Sequence, residues 1–293
     1  MRTTHSSKSI VLGLSVLAAS ANAATLTATD DTIILQNGAP GSTEATSADA
    51  EENFGGRTEM IIGPNNGSPR HGLFRFDVTS LAAQINDVGQ TVDTVTFTLY
   101  ERSGRNGIQP GGSTTLSIAP IVAGNAGWVE GTATGSTGAW NGGGSLNSVS
   151  MHYHTTPTNF GDTDGQQWLS AGGGPTPAGT APSSTFTVGT DTAAALGTIT
   201  VTNTGDANDV WTGTLDAAAV EALLPSWLAD PTGNAGIAVT YESGSTGQWF
   251  FGSVESGAGT DPAAELDITF VPEPSVALLG GLGLLGLLRR RRA

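Results

Sequence analysis

The chain has 293 residues, no cysteine and a formal net charge of −15 at pH 7. The lack of cysteine excludes disulfides and thiol catalysis, and the acidic balance argues against binding to nucleic acid or to anionic membrane surfaces. A chain of this length can bury a sizeable core without disulfides.

The first residues have the features of a secretory signal peptide. Arg2 and Lys8 form a basic start, residues 10–19 an apolar run, and Ala21-Asn22-Ala23 a small-residue cleavage site. The apolar run is too short for a stable transmembrane helix. We therefore predict a signal peptide over residues 1–23 and export of the chain, with Ala24 as the mature start.

The span between the two ends is more acidic than the whole chain. The ends carry six of the 11 Lys and Arg and one of the 26 Asp and Glu. Residues 24–271 therefore carry five arginines, no lysine and 25 acids, a net charge of −20. A field of this sign keeps the protein soluble and favours bound cations.

Alternating residues along this span predict β-strands. In residues 91–100, Val95, Phe97 and Leu99 share one parity and the intervening threonines share the other, as in a half-buried strand. Turn residues separate further short runs at 25–35, 60–62, 72–77, 115–122, 185–188, 198–201, 235–241 and 265–270. The pattern predicts an all-β fold, an antiparallel β-sandwich or jelly roll.

One or two short helices interrupt the strand pattern. Residues 79–86 favour a short helix capped by Thr79 or Ser80. A second is expected from Asp216 to Leu224, ended by Pro225.

A glycine-rich insert covers about residues 133–184 of the predicted single domain, 24–270. Trp140, Tyr153 and Trp168 lie within it. Low-complexity linkers rarely carry so many aromatic residues, which indicates an ordered excursion. A domain boundary within the insert is the alternative.

Two acidic turns are candidates for Ca²⁺ binding. Asp162 and Asp164 precede a glycine, and Asp206 and Asp209 lie in a second tight turn. Ca²⁺ prefers oxygen ligands, but neither stretch completes an EF-hand because no glutamate lies at the required distance. The alternative is two solvated turns, since Asp, Asn and Gly favour turns. Structural Ca²⁺ is the one cofactor to which the sequence points.

The insert also supplies candidates for glycan binding. Trp140, Tyr153 and Trp168 could present aromatic faces to a sugar, and His152 and His154 flank Tyr153 on one strand face. The alternative for these aromatics is packing in the core or at its rim.

The motifs of the common enzyme classes are absent from the sequence. It has no G-x-S-x-G elbow, no H-E-x-x-H, no P-loop and no dinucleotide fingerprint. Acidic residues are abundant, yet none stands out as an acid–base pair for glycoside hydrolysis. We predict no catalytic residues and no enzymatic activity.

The last 23 residues combine a polar motif, an apolar run and a basic end. Pro272, Glu273 and Pro274 precede residues 276–288, which are followed by Arg289 to Arg292. This order resembles a PEP-CTERM sorting tail over residues 271–293. The resemblance implies transient anchoring in the inner membrane and removal of the tail by an exosortase-type enzyme. A permanent anchor is the alternative, although the apolar run would span only about 20 Å as a helix.

The body carries landmarks in a recognisable order. They are 31–32, 53–56, 60–63, 72–77, 95–100, 127–131, 227–228, 234–237, 251–253 and 266–270. Their order resembles the DNRLRE domains, a β-sandwich group related to the carbohydrate-binding modules called CBM96. Within these landmarks Phe74 and Phe76 share a parity and should face the core, with Arg75 on the opposite face. Asp77 and Glu130 are its expected carboxylate partners.

Together these features predict an exported, non-catalytic protein of the cell envelope or extracellular matrix with a structural or adhesive role. An exosortase-type enzyme is the expected partner, and only the C-terminal tail should contact a membrane. The alternative function is a carbohydrate-binding, lectin-like module with a polysaccharide partner, and a glycan-active enzyme is the third. Buried aromatics in the insert would favour the structural role, and exposed ones would favour glycan binding.

Overall fold

The computed structural model describes residues 22–35, 54–65, 68–85, 90–103, 111–132, 153–155, 166–168, 186–205, 208–244, 247–256, 261–272 and Gly283. The strands in these ranges are β1 Asn22–Leu35, β2 Met60–Asn65, β3 Ser68–Phe76, β4 Gln90–Tyr100, β5 Ser113–Pro120, β6 Tyr153–Thr155, β7 Gln166–Gln167, β8 Gly197–Thr202, β9 Val210–Leu215, β10 Ile237–Gly244, β11 Trp249–Phe251 and β12 Glu265–Pro272. The two α-helices are α1 Thr79–Ile85 and α2 Ala217–Ala229.

Eight of these strands close into an antiparallel barrel. The order around it is β1-β12-β4-β9-β8-β5-β10-β3, and β2 and β11 extend from β3. Closure depends on β1, which pairs with β12 through Thr27 and with β3 from Ala28 onward. A register shift between Ala28 and Asp30 marks the change of partner, as bulges do where a sheet bends. The predicted all-β, antiparallel class with one or two short helices is confirmed, and the number of α-helices among the described residues is two.

The core fills the barrel according to the predicted parity. Val95, Phe97 and Leu99 of β4 are all buried, and Phe74 and Phe76 of β3 are fully buried with them. The Phe97 ring meets those of Phe74 and Phe76 edge-on, at centroid distances of 5.8 and 6.5 Å. Such edge-to-face contacts add to the free energy gained from burial.

Helix α2 is longer than the sequence predicted. Asp216 caps it as expected, its Oδ1 accepting from the Ala219 N–H at 3.0 Å. The helix then continues through Pro225 to Ala229, so the predicted end at this proline is wrong. Leu224 and Trp227 are buried on either side of the proline, and their burial offsets the lost backbone hydrogen bond.

Helix α1 begins at Thr79 as predicted, with a different cap. The Thr79 N–H donates to Asp77 Oδ1 at 2.8 Å, so Asp77 holds the start of this helix.

A second apolar cluster lies apart from the main core. Its buried members are Ile34, Leu73, Ile121, Trp128, Trp168, Phe186, Ala235 and Ala238. Leu73 neighbours Phe74 with opposite parity, so this cluster covers the outer face of the sheet around β3. Trp168 therefore brings part of the glycine-rich insert back onto the barrel.

Strand β12 ends at Pro272, opposite Gln90 of β4. Among the described residues, no helix has the length and apolar character needed to cross a membrane.

Candidate functional site

Three carboxyl groups from distant parts of the chain meet beside the second half of β1. Asp31, Glu130 and Glu255 each place an oxygen within 4.8 Å of the other two, and we call them the carboxyl cluster. Asp31 is only 1% exposed, and the two glutamates are half-buried. Among the described residues, this group has the spacing that could hold a metal ion.

Glu130 supplies a hydrogen-bond acceptor for a backbone N–H of β1 that has no partner strand on that side. Strand β12 accompanies β1 only as far as Thr27, so the backbone of Asp31 has no β12 partner. Glu130 Oε1 accepts from the Asp31 N–H at 2.7 Å. This side chain therefore satisfies a strand-edge donor that would otherwise be costly to bury.

The third member is positioned by a short turn after β11. Asp31 Oδ2 accepts from the Val254 N–H at 2.8 Å, which fixes the 3₁₀ turn Val254–Ser256 against β1. Ser253 Oγ donates to the Arg57 carbonyl at 2.8 Å and ties the same turn to the loop after Phe54. These bonds bring Glu255 to the cluster.

A glycine allows the loop to lie directly against Glu130. A Cβ at position 55 would stand 2.2 Å from the Glu130 carbonyl oxygen and 2.5 Å from its Cγ. Only glycine permits so close an approach. Gly55 thus serves the packing of the carboxyl cluster.

Burial and mutual repulsion perturb all three acids. Burial raises the pKa of Asp31 well above its ordinary value, and the carboxylates of Glu255 and Asp30 act in the same direction. Burial also raises the pKa of Glu130 to about 9, with further contributions from Glu255, Asp31 and Asp30. The pKa of Glu255 is raised chiefly by burial. Burial and the neighbouring negative charges therefore favour the protonated form of each of these carboxyl groups.

Arg75 holds the segment that carries Glu130. Its Nε donates to the Asn234 carbonyl at 2.8 Å, and its Nη2 donates to the carbonyls of Trp128 and Ala126 at 2.6 and 3.1 Å. Its ion pair is with Asp30, with Nη1 3.7 Å from Oδ2. The ion pair expected with Asp77 or Glu130 is therefore made with Asp30 instead. Burial lowers the pKa of Arg75, and the nearby charges of Asp30 and Glu130 oppose that shift.

The predicted Ca²⁺ ligands fall largely outside the described residues. Asp162, Asp164 and Asp206 all lie there. Asp209 is described, and its carboxylate accepts from Thr204 N–H at 3.1 Å and from Thr204 Oγ1 at 2.6 Å. It closes the turn between β8 and β9 and does not belong to the carboxyl cluster.

The predicted glycan-binding aromatics are in different settings. Trp168 is fully buried, with its ring edge-on to Phe186 at 5.0 Å, and so it has no exposed face for a sugar. Tyr153 begins β6 and pairs with Gln167 of β7. Trp140 lies outside the described residues, as do Glu273 and Pro274 of the predicted sorting motif, whose first residue Pro272 ends β12.

Comparison of the chain with protein-family models and with curated proteins found no match.

Sequence reasoning missed the cluster as a unit. Asp31 and Glu130 were each part of a landmark, but Glu255 lies just beyond the landmark at 251–253. The available signal was that each of the three acidic residues lies in or just after one of the landmark segments 31–32, 127–131 and 251–253. Their meeting depends on barrel closure, which local periodicity does not reveal.

Proposed function

We propose that this chain is an exported, non-catalytic protein of the cell envelope or extracellular matrix with a structural or adhesive role. Five of its six tryptophans carry this proposal: Trp128, Trp168, Trp211, Trp227 and Trp249 are each at most 7% exposed. Glycan platforms need exposed aromatic faces, so tryptophans used for packing favour a structural body.

Delivery by a PEP-CTERM-type tail over residues 271–293 is part of the proposal. Removal of this tail by an exosortase-type enzyme would release the barrel from transient inner-membrane anchoring. The position of Pro272 supports this arrangement, because the proposed motif begins where β12 ends. Cleavage beyond the motif would leave the pairing of β12 with β4 intact.

Membership in the DNRLRE group, and a two-layered form of the barrel, are also proposed. Two contacts across the core support a flattened, sandwich-like shape: Phe97 of β4 touches both Phe74 and Phe76 of β3. Four of the landmark segments that carry the resemblance also meet in one place, because Asp31, Gly55, Arg75 and Glu130 lie close together.

Carbohydrate binding is the second candidate. Trp140 and Tyr153 remain its predicted contacts, together with the neighbouring histidines. A catalytic role for the carboxyl cluster is disfavoured, because the Asp31 carboxyl group is almost completely buried and has little access to substrate.

Two measurements test the proposal. Cell fractionation should place wild-type protein outside the inner membrane and retain a Glu273→Gln variant there, while a matched Glu265→Gln variant behaves as wild type. Retention of neither variant would contradict sorting through this motif. A glycan array with and without Ca²⁺ should be silent. A specific signal that Trp140→Ala abolishes would establish the lectin-like alternative instead.

A further inference from the structure

We propose that Asp31, Glu130 and Glu255 bind one divalent cation of the Ca²⁺ class, which joins β1 to two distant segments of the chain. The three carboxyl groups already place one oxygen each within 4.8 Å of the others. That spacing suits shared coordination of one ion, because Ca²⁺–oxygen distances are about 2.3–2.6 Å. These three acids are not among the Ca²⁺ ligands predicted from the sequence, Asp162, Asp164, Asp206 and Asp209.

A shortage of hydrogen-bond donors points independently to a ligand. Glu255 Oε2 is buried without a hydrogen-bond partner. The Asp31 carboxyl group, 1% exposed, accepts a hydrogen bond at Oδ2 from the Val254 N–H. Buried carboxylate oxygens without donors are rare in folded proteins, and an absent ion is one of their recognised explanations.

No arginine among the described residues forms an ion pair with Asp31 or Glu255. The ion pairs they form are Arg57 with Glu59, Arg75 with Asp30 and Arg102 with Asp261. Arg75 directs three of its donors to backbone carbonyls instead. The protein thus assembles three acids in a partly buried place, and the described arginines form no ion pair with Asp31 or Glu255.

Ligand chemistry favours Ca²⁺ over other divalent ions. The cluster offers only carboxylate oxygens. Zinc and copper ions prefer nitrogen and sulfur ligands, so this set of ligands does not suit them. Three carboxylates with flexible mono- or bidentate binding, completed by water or carbonyl oxygens, match the irregular coordination of Ca²⁺ better than the strict octahedron of Mg²⁺.

The proposed ion would stabilise the fold by closing long loops. Asp31 is 99 residues from Glu130 and 223 residues from Val254, which begins the turn carrying Glu255. An ion that binds the folded chain and not the unfolded chain raises the free energy of unfolding by mass action. This inference does not depend on the adhesive role, because a structural cation suits any exported function.

The test uses the full-length chain, treated with chelator and then titrated with Ca²⁺ alone. Calorimetry should show one saturable site with a Kd of about 10⁻⁴ to 10⁻³ M, the range of extracellular modules, and the melting temperature should rise on saturation. Mg²⁺ should bind at least about 10-fold more weakly. Tb³⁺ luminescence excited through tryptophan should report the same site, since Trp128 lies two residues from Glu130.

A Glu255→Gln variant separates a cation site from a simple structural cluster. It should bind Ca²⁺ at least about 10-fold more weakly, yet melt in chelator no lower than wild type, because it removes a like charge. Asp267→Asn, which removes one acid from β12, is the matched control and should bind as wild type. Absence of saturable binding up to about 10 mM Ca²⁺, or unchanged binding by Glu255→Gln, would overturn the proposal. If no saturable binding is found, the three carboxyl groups are held together by shared protons and not by a cation.

Discussion

The guanidinium of Arg75 lies 4.2 Å from the ring centroid of Trp128 and also donates to that residue's carbonyl oxygen. Trp128 in turn donates from Nε1 to the Ala235 carbonyl at 2.9 Å. The two side chains therefore fasten the 126–130 segment to β3 and to the residues just before β10. Because Glu130 follows two residues later, this contact on one face of the sheet positions the acid that reaches β1.

Replacing Arg75 with lysine should weaken the fold although the charge is kept. Lysine cannot reach three carbonyls and Asp30 with one compact ammonium group. We expect Arg75→Lys to lower the free energy of unfolding by about 2–4 kcal/mol, measured by urea denaturation. Arg70→Lys on the same strand is the control and should cost below about 1 kcal/mol. Equal losses in the two variants would show that the Arg75 network contributes little.

His71 should make the protein sensitive to acid. It is buried in β3, Nδ1 has no hydrogen-bond partner, and burial lowers its pKa to about 4. Between pH 6.5 and 4 the unfolded chain takes up a proton that the folded chain does not, so stability falls as the pH falls. The loss attributable to this residue is at most about 3 kcal/mol.

The slope of stability against pH isolates this effect. Urea denaturation of wild type and His71→Leu at pH 7.5, 6.5, 5.5 and 4.5 should give a shallower decline for the variant. Parallel curves would mean that His71 does not titrate as its burial indicates.

Glu130 should make the free energy of unfolding fall as the pH rises, the opposite of the effect of His71. Its raised pKa, about 9, means that the folded chain holds a proton that the unfolded chain releases near pH 4.5. In chelator, stability from this residue is complete below pH 4.5 and is lost as the pH rises toward 9. Glu130→Gln should flatten that decline. Solvent screening reduces the effect, since the side chain is only half-buried. An unchanged decline in the variant would refute the assignment.

Two glycines with similar backbone angles should respond differently to alanine. Gly236 has φ +73°, and a Cβ there would lie 2.1 Å from the Phe74 carbonyl oxygen. Gly205 has φ +79° with open space around it. We expect Gly205→Ala to cost about 1 kcal/mol, the backbone strain alone, and Gly236→Ala to cost at least about 3 kcal/mol. Similar melting temperatures for the two variants would contradict the close approach of β10 to β3.

The sequence predicted the elements whose signal is local. The parity of Phe74, Phe76 and Phe97 placed these rings in the core because strand periodicity fixes which side chains share a face. The end of α2 was misplaced, because the burial of Trp227 outweighs the helix-breaking effect of Pro225 and is visible only in the packed structure.

Barrel closure and the carboxyl cluster could not be derived in this way. Strand β1 changes partner at a bulge near Asp30, and alternation along residues 25–35 does not specify the neighbour of each half. Glu255 joins Asp31 through the pairing of β11 with β2 and of β2 with β3. Such long-range relations arise from topology, which a single sequence encodes only indirectly.

The pairing of the first and last strands has a mechanical consequence. Ala24, the predicted mature start, opposes Ile268 and Thr27 opposes Glu265, so the start of β1 and the end of β12 emerge at the same end of the barrel. A force pulling these two ends apart would break the ladder one pair at a time, like a zipper. A force between the end of β12 and the rest of the barrel would instead shear β12 against both β1 and β4, loading many hydrogen bonds together. A protein held by its C-terminal end and gripped through its body would therefore resist extension far better than one stretched between its two ends.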